Sequence, residues 1–381
     1  MSIPDLVIQE IRVRPVVAPL PRPIRTASGD VLDAPLLLID VLTDAGVTGR
    51  AYAFAYTQLT LRSLTQFVRD ITPELLGKSV SPRARMRQVE KRLKLVGWQG
   101  FAGMVVGTLD MALWDALARA MDVPLVVLLG GELRPLPAYD SFGVLDRRTD
   151  LPWLETSVAS GFKAIKIKLG AGAVESDVAI VADVRRTIGD RVRLMLDFNQ
   201  SQSTAGAVER IRRLQDFDLT WVEEPVAAED LVGHRAVREC VRPVPIQTGE
   251  NWWFPHGMAN AITAGASDLA MVDIMKIGGV TGWLSATAQA EAAALPLSNH
   301  TFVEPSPHVM AVATTAAWFE YLDIAGAVLT ERPLPVDGTV TARGPGLGLD
   351  WDEHAVARYA FSRWATNAPR PSAKTEKSHC H

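Results

Sequence analysis

Ala164-Ile165-Lys166-Ile167-Lys168, Leu194-Met195-Leu196-Asp197 and Leu219-Thr220-Trp221-Val222-Glu223 share one pattern, a short apolar run that ends in charge. Glu250, Asp273, His300 and Glu320 end later runs in the same way. Intervals of 26, 27, 23, 27 and 20 residues separate Asp197, Glu223, Glu250, Asp273, His300 and Glu320 in turn, each about one strand-helix unit long. Strand candidates are 136–141, 162–168, 192–197, 219–223, 244–249, 269–273, 295–298 and 318–322. Helical spacing fills the gaps, including 177–188, 205–214, 279–294 and 309–318. The expected fold is α/β, a modified (β/α)7β TIM-type barrel whose strand ends form one rim.

Outside this repeat, residues 1–132 are expected to form an α+β capping domain. A strand at 7–17 precedes a hairpin of 36–42 and 47–55 turned at Asp44-Ala45-Gly46, and helical spacing runs over 61–95 and 101–121. The barrel is assigned to 133–323, after the Gly130-Gly131 break. Residues 324–364 are expected to return to and complete the capping domain, and 365–381 to be a mobile tail. His379-Cys380-His381 reads as a solvated terminus rather than a metal site.

The formal charge of −4 gives no electrostatic case for nucleic acid. Two cysteines, Cys240 and Cys380, offer neither a disulfide framework nor a thiolate cluster. With no signal-like start and no uncharged stretch of membrane-span length, the expectation is a soluble, cytoplasmic protein without a membrane partner.

Strand alternation puts Lys166 and Lys168 on one face, toward the barrel mouth. Asp197, Glu223 and Glu250 close three successive strands and supply the oxygen ligands and negative charge that a hard divalent ion requires, so Mg²⁺ fits better than zinc. Acids also cap helices, but three in consecutive units point to metal. Glu224 should face the other way. Asp273, on the strand end next to His300, can fix the imidazole tautomer.

Together these groups suit removal of the proton next to a carboxylate, giving a metal-stabilised enediolate. Lys168 is one base, its pKa expected to be depressed by Lys166 and the metal. His300 is the second, from the opposite face, and Glu320 is an acid expected to be held protonated by burial among carboxylates.

At these residues the chain resembles the enolase superfamily, in its mandelate racemase subgroup. Lys166-Ile167-Lys168, Leu196-Asp197-Phe198-Asn199-Gln200, Trp221-Val222-Glu223-Glu224-Pro225, Gly249-Glu250-Asn251-Trp252, Met275 to Trp283 and Phe319 to Asp323 all look like its motifs. The resemblance implies Mg²⁺, one per subunit with Mn²⁺ a substitute, on Asp197, Glu223 and Glu250. It implies Lys168 and His300 as bases, Asp273 as partner of His300, and Glu320 as electrophilic acid. By the same resemblance Lys166 touches the substrate carboxylate, Ser141 and Asn199 are polar substrate contacts, and the chain is a homo-oligomer, often an octamer. Lys276 sits in a family motif but off the strand end, so it receives no base role.

The implied lid is residues 20–31 with Phe54-Ala55-Tyr56. Ile24, Val31, Phe54, Tyr56 and Leu322 favour an apolar or aromatic substituent, while Ser28 and Thr301 add polarity. The resulting reading is a two-base racemase of a mandelate-like 2-hydroxy carboxylate. The alternatives are an acid-sugar dehydratase giving a 2-keto-3-deoxy acid by the same first step, and a non-enzymatic metabolite binder.

Overall fold

The computed structural model describes residues 5–26 and 29–361. An antiparallel sheet opens the chain: β1 (Ile8–Thr26), β2 (Gly29–Thr43) and β3 (Thr48–Phe54), in that order. The hairpin turns where expected, with Gly46 at φ 75°. β1 runs well past Val17 despite Pro19, Pro21 and Pro23. It is an edge strand, where a missing N–H breaks no ladder, and the register slips between Pro19 and Ile24.

Two helices pack on this sheet, α1 (Gln58–Leu75) and α3 (Phe101–Ala120), with α2 (Pro82–Leu93) packed on α3, followed by the short α4 (Leu125–Leu128). α3 has the length and hydropathy of a membrane span, yet 78% of that apolar window is buried inside the fold. Gly107 explains how closely it approaches the barrel: a Cβ there would lie 2.1 Å from the Met275 carbonyl oxygen, just before Lys276. Gly107→Ala is expected to cost about 1–3 kcal/mol through overpacking, read from denaturant melts.

The barrel strands are β4 (Leu136–Val144), β5 (Ala164–Lys168), β6 (Arg193–Asp197), β7 (Leu219–Glu223), β8 (Ile246–Thr248), β9 (Leu269–Asp273), β10 (Leu297–His300) and β11 (Phe319–Tyr321). Between them lie α5 (Leu151–Ala159), α6 (Val174–Ile188), α7 (Thr204–Leu214), α8 (Leu231–Cys240), α9 (Phe254–Ala264), α10 (Gly279–Ala292) and α11 (Ser306–Ala311). Neighbours are parallel in the order β10-β9-β8-β7-β6-β5-β4-β11, the expected (β/α)7β arrangement. Ile165, Ile167, Leu194 and Leu196 point outward into the helix-facing core, which leaves Lys166, Lys168 and Asp197 to the interior.

Closure between β10 and β11 combines a side chain with the backbone just ahead of β11. Asn299 Oδ1 accepts from Glu320 N at 2.8 Å and its Nδ2 donates to Glu320 O at 3.3 Å. Leu297 N donates to Thr315 O and Ala317 N to Leu297 O, at 2.9 and 2.8 Å. This corrects the helix expected at 309–318: it lies at Ser306–Ala311, because the backbone of Thr315 to Ala317 pairs with β10 instead.

Beyond Asp323, β12 (Thr339–Val340) pairs with β4, and α12 (Glu353–Arg358) brings the chain back to β1. Trp351 Nε1 donates to Asp40 at 2.7 Å, Val17 N to Tyr359 O at 2.8 Å, and Leu347 N to Asp115 at 2.5 Å. The tail at 365–381, with its His-Cys-His terminus, lies outside the described residues.

Just behind the β10 rim, Tyr52 of β3 donates to Glu304 at 2.5 Å, and burial pushes the Glu304 carboxyl up to about 7. Its folded pKa thus exceeds the ordinary value, the native state holds the extra proton, and stability falls as pH rises from about 4.5 to 7. Glu304→Gln should remove that slope, so its melting advantage over the parent grows between pH 5 and pH 8, by about 3 kcal/mol at most.

Candidate active site

Where β6, β7 and β10 end, the backbone enters the left-handed region at residues that are not glycine: Asn199 (φ 44°) and Gln200 (62°), Glu224 (36°), Thr301 (47°) and Phe302 (51°). Each such residue is sterically disfavoured, and their concentration on one rim marks a site that the surrounding structure holds in place. The turns bend chemistry inward. Asn199 N and Nδ2 donate to Asp197 at 2.7 and 3.0 Å, and Thr301 N donates to Glu320 Oε2 at 2.7 Å.

Asp197, Glu223 and Glu250 each offer an oxygen, all within 4.8 Å of one another. Glu223 Oε1 and Asn199 Oδ1 are buried and have no hydrogen-bond partner among the described residues. An orphaned carboxylate oxygen inside a triad of acids is costly unless a cation occupies the gap. The all-oxygen donor set therefore fits a hard divalent ion.

Lys166 is fully interior and bridges two acids, at 2.8 Å from Glu223 and 2.6 Å from Glu320. Lys168 pairs with Asp197. Burial pulls both lysines down, but their acid partners outweigh it and raise both above the ordinary lysine range. Among the protein groups alone Asp197 is the nearest charge to Lys168 and outweighs Lys166, so the expected depression rests on the metal's charge. Glu320 is corrected likewise. Burial raises it, but Lys166, His300 and the Thr301 N–H pull it below the usual carboxylate range, so it is ionised here.

His300 Nδ1 lies 2.8 Å from Asp273 Oδ2, and its Nε2 faces Glu250 Oε2 at 3.2 Å. Burial lowers His300, while Glu250 and the Asp273 hydrogen bond more than compensate and raise it. Burial pushes Glu250 up, yet His300, Lys276 and Lys168 bring it to about 2. Asp273 Oδ1 is held by Met275 N and Lys276 N at 2.8 and 3.0 Å, leaving Oδ2 for the imidazole.

A cavity of about 340 Å³ opens over these groups. One wall is apolar, made of Ile24, Val31, Phe54 and Leu322, and the other carries Lys168, Glu250, His300 and Thr301. Asn199 and Tyr56 also line it. Ser141 is buried beside Lys166 in register but is not among the lining residues, and Ser28 lies outside the described residues.

Two groups left out of the expected site, Glu224 by alternation and Lys276 for lying off the strand end, belong here. Glu224 does not turn away. Its positive φ returns the carboxylate to Asn251 Nδ2 at 2.9 and 3.0 Å, and Asn251 also donates to Glu250 at 3.1 Å. Lys276 Nζ donates to Asn251 Oδ1 at 2.7 Å and lies 4.7 Å from the centre of the Tyr56 ring. The Gly249-Glu250-Asn251 and Met275-Lys276 motifs carried that signal, but not the direction of the side chains.

Comparison with known proteins agrees with this architecture. Residues 8–130 match the mandelate racemase / muconate lactonizing enzyme N-terminal domain, and residues 153–355 match the enolase C-terminal domain-like family. A 3,6-anhydro-alpha-L-galactonate cycloisomerase of Streptomyces coelicolor is 31% identical over 92% of this chain and 99% of its own. An L-talarate/galactarate dehydratase of Salmonella typhimurium is 30% identical over 68% of this chain and 66% of its own. The crystal structure of an enolase from Bradyrhizobium complexed with magnesium and mandelic acid superposes with a TM-score of 0.92 at 52% identity, over 94% of this chain and 99% of that one. The chain belongs to the mandelate racemase / muconate lactonizing enzyme family of the enolase superfamily.

Proposed function

We propose that the protein is a Mg²⁺-dependent racemase of a 2-hydroxy carboxylate with an apolar or aromatic arm. The observation that carries this reading is the pairing of two bases, Lys168 and the His300–Asp273 dyad, within one cavity above the carboxylate triad. Support also comes from the Bradyrhizobium neighbour bound to magnesium and mandelic acid.

Asp197, Glu223 and Glu250 would hold the Mg²⁺, which when bound supplies positive charge against the dianion that forms as the α-proton leaves. Lys166 binds the substrate carboxylate. The arm packs on Ile24, Val31, Phe54 and Leu322, and Asn199 holds the hydroxyl. Lys168 takes the α-proton from one enantiomer while His300 delivers a proton to the opposite face, and for the other enantiomer the two exchange roles. A substrate carboxylate on Lys166 would add negative charge beside Glu320, which favours its protonation and the acid role assigned to it. Polarimetry of (R)- and (S)-mandelate with Mg²⁺ tests the reading: loss of rotation from both supports it, and constant rotation from both rejects it.

A second reading has its own observation. Thr301 Oγ1 is buried with no partner among the described residues, on a wall shared with Gln200, Asn251 and Lys276, which suits a hydroxylated substrate. An acid-sugar dehydratase would release a 2-keto-3-deoxy acid, detected by semicarbazide in a sugar-acid screen.

A further inference from the structure

Beside the catalytic cavity lies a second one of about 380 Å³, bounded by Pro21 and Pro23 of β1, Trp153 and Thr156 of α5, Phe162 and Tyr321. Two residues line both cavities, Ile24 and Leu322. They are the partition between the chambers, and both are anchored.

Ile24 is held on a strap clamped on either side. Arg22 forks onto the Asp140 carboxylate and donates to Ser141 O at 2.8 Å, while Arg25 pairs with Asp150. Between the clamps the strap lies tight on β4, because a Cβ at Gly143 would sit 2.4 Å from Arg25 N. Leu322 follows β11 directly and precedes Asp323, whose carboxylate accepts from Arg332 Nε at 2.9 Å and from Gly326 N at 2.7 Å. The wall is thus fixed by its chain neighbours rather than by its own packing alone.

The far chamber presents aromatic and proline surface, and its two arginines, Arg22 and Arg332, are already neutralised by Asp140 and Asp323. Its chemistry suits an uncharged apolar group and offers nothing to a second carboxylate. We propose that Ile24 and Leu322 set the length limit on the substrate arm, closing off a chamber shaped to take the distal part of a longer aryl 2-hydroxy acid. This rests on the reading that the arm lies against the apolar wall, with the carboxylate at the metal and Lys166.

The test compares mandelate with the rigid, longer 4-phenylmandelate in the Mg²⁺-loaded enzyme, by turnover and by calorimetric binding. Parent enzyme should prefer mandelate. In Ile24→Ala/Leu322→Ala the ratio of kcat/KM for 4-phenylmandelate over mandelate should rise about 10-fold or more, with a parallel fall in Kd for the longer acid. Adding Thr156→Trp, which fills the far chamber, should cancel the gain. Leu322→Ala alone, at a smaller gain, serves if the double variant melts early.

A parent that already takes 4-phenylmandelate as well as mandelate overturns the proposal. So does a folded variant with an unchanged ratio, or a gain that survives Thr156→Trp. If neither acid turns over but calorimetry shows the shift and its cancellation, the partition stands and the racemase reading falls.

Discussion

Glu223→Gln is expected to leave the fold intact, abolish tight Mg²⁺ binding and lower turnover of the 2-hydroxy acid by about 10³-fold or more, since the ion's charge stabilisation is worth several kcal/mol. The substitution keeps the shape of a residue held on one oxygen by Lys166 while removing charge from the other, which has no protein partner among the described residues. The sign of the stability change is diagnostic. Burial, together with Asp197, Glu250 and Glu320, makes an ionised Glu223 unfavourable despite Lys166, so its pKa lies well above the ordinary range. Without metal, the glutamine variant should melt at or above the parent. With saturating Mg²⁺ the parent should gain and the variant should not, since an ion that binds only the native state adds stability in proportion to the logarithm of its saturation. A variant that keeps the parent's Mg²⁺ titration and turnover would remove Glu223 from the metal site.

Asp273→Asn should lower α-proton exchange of the enantiomer served by His300 by about 10²- to 10⁴-fold and that of the other far less, while racemisation of both enantiomers falls together because each direction uses both bases. The loop after β9 survives, because an amide oxygen can still accept from Met275 N and Lys276 N. The position occupied by Oδ2 becomes an NH₂ group. It can no longer accept from His300 Nδ1 or from Tyr56 OH, which lies 3.3 Å away. The imidazole then carries its proton on Nε2, the nitrogen facing the cavity, and cannot act as a base there. KM for mandelate should change little, since Asp273 lies behind the histidine and lines no part of the cavity. Equal losses of α-proton exchange for both enantiomers would mean that Asp273 supports the whole rim rather than one base.

The strand ends were legible because two periods coincide: alternation along each strand, and the length of one strand-helix unit between ends. That coincidence placed Asp197, Glu223, Glu250, Asp273, His300 and Glu320 on one rim without any contact being known. Alternation fails where the backbone turns left-handed, which is why Glu224 was read as facing away and Asn251 was not seen as its partner. Protonation was not legible either, because it depends on partners across the barrel: Lys166 reaches Glu320 from another strand, and Lys168 finds Asp197 rather than an isolated pocket. The helix expected at 309–318 has the right periodicity, but its backbone serves barrel closure. β1 outruns the strand expected at 7–17 because Pro19, Pro21 and Pro23 are tolerated at an edge. The partition at Ile24 and Leu322 joins residues nearly 300 positions apart, and only the fold brings them together.

The most direct test of the two-base account is α-proton exchange of each enantiomer of mandelate in heavy water, followed by NMR in the Mg²⁺-loaded parent, Lys168→Ala and His300→Asn. The parent should exchange both enantiomers. Lys168→Ala should lose exchange of one enantiomer while retaining the other, and His300→Asn should show the reverse pattern. Identical loss of both enantiomers in the two variants would contradict separate bases on opposite faces.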